Sequence, residues 1–370
     1  MASSDGDDAR NDSVTRDAPE VAGHAPVPSH AAKPHPRGLR GLLTGRRVKR
    51  AIPWLLSLCI VAFLFLTTDL AAVGAALESA DWGRLVAGMA VVTLAAYVFD
   101  SLTLVALFRR YVAPVSQGEV FRIKGVSYFF NAINYSLAAG AMAWILHKKR
   151  GAPFLETFSS LVWFFFIDIV ALVFLLTLGY VVGSDAIAAT PFAARLPWII
   201  LAIWAIVAGT LIYWNAGFDF VLLGFMRKWR VFDTFRRARV AEYPAFVLMR
   251  AAFIMVYVVM HWLLLPAFGV EIPLDALLVY APLIAFVQVI PATISGLGAV
   301  QGVMVALFAV HVAPTVGDGK AVIVAYSTVI GPLMMVMRLF IGYAFVARVA
   351  GDLVPSKGEV EAATHVVGER

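Results

Sequence analysis

The segment from Asp275 to Val312 is apolar almost throughout and is interrupted at its centre by Pro291-Ala-Thr-Ile-Ser-Gly296-Leu-Gly298. One membrane crossing needs ~20 residues, so this segment is too long for one span and too short for two. Proline lacks an amide donor and clashes with the preceding helical turn, and the glycines allow a tight reversal. The pattern predicts two half-helices that meet at a broken centre within a bilayer, with Pro291, Gly296 and Gly298 as hinge residues. The alternative is a single kinked helix, since helix breakers are common in membrane helices. Irregular backbone at membrane depth must be buried in protein or line a wet cavity. The break is therefore the first place to look for a functional site.

Of the 370 residues, 61% are hydrophobic and 15% charged. This composition places the chain among polytopic helical membrane proteins. The net charge of +6 is no sign of nucleic-acid binding, because the basic residues cluster at predicted helix ends, where they report topology and contact anionic lipid. The single cysteine, Cys59, allows no internal disulfide and reads as an inert apolar thiol. No cofactor is expected.

Residues 1–45 are rich in Ala, Pro, Ser, Asp and His, lack apolar periodicity and read as a disordered cytoplasmic tail rather than a signal peptide. His24, His30 and His35 are too loosely spaced for a metal tract. The run Gly45-Arg-Arg-Val-Lys-Arg50 holds the start of the first predicted span, Ala51 to Thr67, on the cytoplasmic side. Acidic Asp69, Glu78 and Asp81 mark an outer loop. A second span, Leu85 to Phe108, returns to Arg109-Arg110, and Arg122 and Lys124 continue the inner residues.

The segment from Val120 to His147 is apolar but broken by Asn131, Asn134, Ser136 and Gly140, and it ends in Lys148-Lys-Arg150. A single crossing would put those cations, and the later basic loop, on the wrong side. A re-entrant hairpin with Gly140 as its hinge repairs both placements. Further spans are predicted over Phe154 to Val182, Trp198 to Trp214, Ala245 to Phe268 and Ala321 to Ala347. Residues 226–239 form the most basic loop. Its mix of aromatic and basic residues suits either an interfacial helix on anionic lipid or a plain solvated loop. Both termini are placed in the cytoplasm, with the bacterial inner membrane as the expected location.

The order is helix, helix, broken hairpin, helix, repeated with the opposite starting side. The expected fold is an all-α transmembrane bundle of six full spans plus two re-entrant hairpins in an inverted repeat. The transmembrane domain covers 46–350, with halves 51–183 and 197–348, and residues 351–370 form a cytoplasmic tail.

The second break, Ile290-Pro291-Ala-Thr-Ile-Ser295-Gly296-Leu-Gly298-Ala-Val-Gln301, resembles the flippase-like family that includes the transmembrane domain of lysylphosphatidylglycerol synthases. The family's usual form is Pro-Gly-Gly-Leu-Gly, two residues, then Glu. Ser295 replaces a glycine and Gln301 replaces the Glu. The first hairpin is similar too, with Asn131 or Asn134 ahead of Gly140 and basic residues at its end, although Ala141 stands where Glu is usual. Asp168 matches the family's Asp, with Phe166 in place of its Arg, and Arg338 matches a usual Arg. The resemblance implies a bilayer-embedded module that binds a lipid and moves it between leaflets. Residues 351–370 leave no room for the synthases' soluble aminoacyl-transfer domain.

Asp168 lies ~20 Å into its helix, near the membrane centre, where a charge is costly and is paired or functional. Arg338 is too deep for easy snorkelling. The two are expected to face the bundle interior, with Arg338 gripping a lipid phosphate through its planar fork and Asp168 orienting it. The alternative is a structural ion pair. Arg250 is expected to snorkel to the inner surface and Asp100 to lie at the interface. Asn131, Asn134, Ser295 and Gln301 can bond a head group or satisfy freed backbone, and Ser295 and Gln301 are placed to bind an anion at a half-helix N-terminus. His261 and His311 read as packing residues. No zinc spacing, phosphate loop or catalytic set is present, so no enzyme activity is expected. Membrane lipids, above all anionic ones, are the expected partners. The other reading is a non-transporting scaffold that recruits a lipid- or glycan-modifying transferase to the 226–239 loop. The sequence leaves the oligomeric state open.

Overall fold

A computed structural model describes residues 62–353, except positions 65, 134, 184–187, 189–191, 216–225 and 290–297. Every regular element among the described residues is helical. Five helices have the length and composition to cross a membrane: Trp82–Tyr111, Phe154–Val182, Leu196–Asn215, Val240–Phe268 and Gly319–Val346. The sixth expected span, Ala51 to Thr67, falls largely outside the described residues.

Helix α1 (Leu70–Ser79) was not expected, because its flanking acids read as loop. Asp69 is instead its N-cap and accepts from the amides of Ala71 and Ala72, which satisfies donors that the first turn leaves without partners. Asp81 does the same for the Arg84 amide at the start of α2 (Trp82–Tyr111). An acidic residue before an apolar run thus marks a helix start here.

Helices α3 (Gln117–Ile133) and α4 (Tyr135–Arg150) pack against each other. Arg150, at the end of α4, donates to both carboxylate oxygens of Glu119, in the first turn of α3, at 3.0 and 2.7 Å. A contact between residues 31 positions apart brings the two ends to one level, so the segment is the expected hairpin. Gly140 is not its hinge. It lies inside α4, with nothing within 4 Å of the position a Cβ would take. Helix α3 ends at Ile133 and α4 begins at Tyr135, five residues ahead of the glycine.

After α5 (Phe154–Val182) and α6 (Leu196–Asn215), the basic loop forms short 3-10 turns and α7 (Asp233–Arg237). It is docked on α5: Phe235 is buried and the Thr234 amide donates to Ser159 Oγ at 2.9 Å. Helix α8 (Tyr243–Leu264) runs on through a 3-10 turn to Gly269, whose φ of 69° ends it. Helices α9 (Leu274–Val289) and α10 (Ala299–Phe308) form the second hairpin. Its ends meet where the Tyr280 hydroxyl lies 3.4 Å from His311 Nε2. Helix α11 (Gly319–Leu353) closes the chain.

The packing repeats between the halves. The leading arm of the first hairpin, α3, packs on α11, and the leading arm of the second, α9, packs on α5. Exchanging the halves turns one contact into the other. Helices α2 and α8, the corresponding second spans, pack on each other. Both hairpin contacts are made at glycine. A Cβ on Gly125 would lie 2.4 Å from the Phe345 ring, and one on Gly342 would lie 2.9 Å from Phe129. A Cβ on Gly179 would lie 2.5 Å from the Leu278 carbonyl, and one on Gly183 would lie 2.9 Å from that of Asp275. In lipid no hydrophobic gain drives helices together, and close backbone approach at small residues supplies the dispersion energy instead.

Candidate functional site

Four charged side chains from four helices meet inside the bundle. Asp100 comes from α2, Lys124 from α3, Asp168 from α5 and Arg250 from α8. Arg250 Nη1 donates to Asp100 Oδ1 at 2.5 Å, and its Nε donates to Asp168. Lys124 pairs with the other oxygen of Asp100. Arg250 is only 3% exposed and Asp100 only 5%. The Arg250 guanidinium also lies over the rings of Phe164 and Phe253, 4.3 and 4.0 Å from their centroids, a cation–π arrangement.

Taking an ion out of water costs several kcal/mol, offset only by a close partner of opposite sign. The cluster meets that condition by balance, with two carboxylates facing two cations. Two sequence expectations are corrected here. Arg250 does not snorkel, and Asp100 is buried rather than interfacial. Each lies on the face where α2 and α8 pack together, and sequence position alone does not say which way a side chain on a helix points.

Arg338 does not pair with Asp168. Helix α8 packs on α5, so Arg250 takes that carboxylate, while α11 lies against α3. Arg338 is half-buried, donates from Nη2 to the Tyr257 hydroxyl at 3.0 Å and sits 5.6 Å from the centroid of the Tyr128 ring. Lys124 Nζ lies 5.3 Å from the same ring, so Tyr128 joins the balanced cluster to Arg338. Among the described residues, no carboxylate lies within ion-pair distance of Arg338. Lys124, Tyr128 and Tyr257 were not singled out in the sequence. The available signal was the four-residue spacing of Lys124 and Tyr128, which puts them on one helix face.

At the second break, Gly298 has φ 86°, a backbone conformation that favours glycine, and is the N-cap of α10. Gln301 is spent on the break itself: its Oε1 accepts from the Gly298 amide at 2.6 Å. Asn131 lies half-buried in the last turn of α3. Asn134, Pro291, Ser295 and Gly296 lie outside the described residues. His261 is buried, with Nδ1 2.7 Å from the Tyr326 hydroxyl, a packing and hydrogen-bonding role. Among the described residues, no three His, Cys, Asp or Glu side chains come together to hold a metal.

At the mouth of the first hairpin, outside the spanning helices, the Arg150 hydrogen bonds hold the Glu119 carboxyl below its usual range. Nearby, Glu242 receives Arg110 Nε at 2.6 Å and the Tyr111 hydroxyl at 2.5 Å. These contacts fasten the ends of α2 and α8 together.

A protein family described as the lysylphosphatidylglycerol synthase TM region matches residues 51–342. The chain belongs to this family. A comparison with curated proteins gives no match. The lysylphosphatidylglycerol synthase TM region takes in both hairpins, the charge cluster and Arg338, and with the five apolar helices it makes this an integral membrane protein.

Proposed function

We propose that this protein binds a phospholipid or related anionic lipid and carries it between leaflets. The observation that carries this reading is Arg338, a half-buried cation in a membrane helix with no carboxylate beside it among the described residues. Tyr257 and Tyr128 hold the guanidinium, and its other donors suit the oxygens of a phosphate. The carboxylates of the neighbouring cluster are already paired with Lys124 and Arg250. The two hairpins are re-entrant on this reading and bring polar groups to a depth where head groups must pass. On this reading both termini face the cytoplasm and the protein does no chemistry on the lipid.

The test is mass spectrometry of lipids that copurify with the detergent-solubilised wild type and with Arg338→Ala. One lipid class enriched in the wild type and lost in the variant supports a head-group site and names the lipid for reconstituted transport. Bulk lipid in both samples would remove the site and leave a non-transporting scaffold as the better account.

A further inference from the structure

The end of the first hairpin carries two clefts that share one side chain. The first, of about 440 Å³, is lined by Ser116, Glu119, Arg122, Lys148, Lys149 and Arg150. The one carboxylate among its described lining residues, Glu119, has both oxygens taken by Arg150, so that pair is neutral and Arg122 and Lys148 add positive charge beside it. The second cleft, of about 480 Å³, lies between α3 and α11 and is lined by Gln117, Gly118, Phe121, Arg122 and Phe345. Phe121 and Phe345 both pack on Tyr97, with ring centroids 5.5 and 5.9 Å away, which fixes the apolar wall. Arg122 is the one side chain on both surfaces, and its Nε donates to the Gly118 carbonyl at 3.1 Å, which sets the guanidinium at the boundary.

We infer that this pair of clefts is a second lipid site, separate from Arg338, which takes an anionic amphiphile with its phosphate between Arg122 and Lys148 and its chain against Phe121 and Phe345. A cationic cleft by itself would fit any phosphate. The apolar cleft beside it selects a phosphate that carries a hydrocarbon chain. A ligand that spans Arg122 uses both the charge and the apolar wall.

The test is binding of short-chain phosphatidylglycerol, short-chain phosphatidylcholine and soluble glycerol phosphate to the detergent-solubilised full chain. Saturable binding of the phosphatidylglycerol is expected. It should weaken at least about tenfold, or 1.4 kcal/mol, in Arg122→Glu and persist in Arg338→Ala. Lys148→Glu, an exposed change at the end of α4, should weaken it as well and guards against misfolding of the first variant. Equal binding of glycerol phosphate would show a plain phosphate site and overturn the inference, as would equal binding of phosphatidylcholine. Loss in Arg338→Ala with both hairpin variants unchanged would assign the lipid to the site at Arg338 instead.

Discussion

Arg250 Nη1 donates to Asp100 Oδ1 at 2.5 Å across a gap of 150 positions in the sequence. The bond joins the second span of one half to the second span of the other. Because Asp100 also holds Lys124 of the first hairpin, one carboxylate fixes the hairpin to the central helix pair.

Removing one member of this cluster leaves a buried charge of the other sign. Arg250→Ala should destabilise the protein by about 3–5 kcal/mol, and Asp100→Asn should release Lys124 and loosen the hairpin. Thermal unfolding in detergent measures the first effect. A double-mutant cycle of Asp100→Asn with Lys124→Met measures the second, with a coupling energy of about 0.5–3 kcal/mol. Additive effects would show that the hairpin is held by packing alone.

Two glycines should respond in opposite ways to the same methyl group. Gly179→Ala would put a Cβ 2.5 Å from the Leu278 carbonyl, a backbone contact that cannot rotate away, and should cost about 1–3 kcal/mol. Gly140 is helical with open space at its Cβ position, so Gly140→Ala should be neutral or should stabilise α4 by up to about 1 kcal/mol. Unfolding midpoints of the two variants check this directly, and a loss in Gly140→Ala would return the hinge role to that residue.

The Glu119–Arg150 contact should make the hairpin mouth sensitive to acid. The Glu119 carboxyl titrates lower in the folded chain than in the unfolded one. Its contribution is therefore complete above the unfolded value of about 4.3 and disappears as the pH falls through the lower folded value. Half-exposure of the Arg150 side chain, at 45%, admits solvent and limits the contribution to less than about 1 kcal/mol. Hydrogen exchange at the start of α3 should be slow near neutral pH and rise only in acid, and Arg150→Gln should abolish that pH dependence. An unchanged acid response in the variant would exclude this pair as its cause.

Sequence alone determined the class of protein, all five long spans to within about five residues at each end and the positions of both hairpins. A bilayer leaves few options: a run of about 20 apolar residues must be a helix, and a proline–glycine break within a longer run must be protected. Gly298, with its φ of 86°, was legible as a special backbone position for this reason. Charge partners were a different matter. Asp168 and Arg338 announced themselves as costly residues in apolar runs, while Arg250 and Asp100 read as surface charges and Lys124 as an inner-side residue, and the pairs they form depend on which helix faces become neighbours. The sequence reading joined Arg338 to Asp168 and sent Arg250 to the surface. The structure places α8 beside α5 and α11 beside α3, so Arg250 takes Asp168 and Asp100, and Arg338 is left to Tyr257 and Tyr128. A helix fixes the depth of a side chain by its rise per residue, but packing between helices, here set by close approach at Gly125, Gly342, Gly179 and Gly183, decides what lies opposite it.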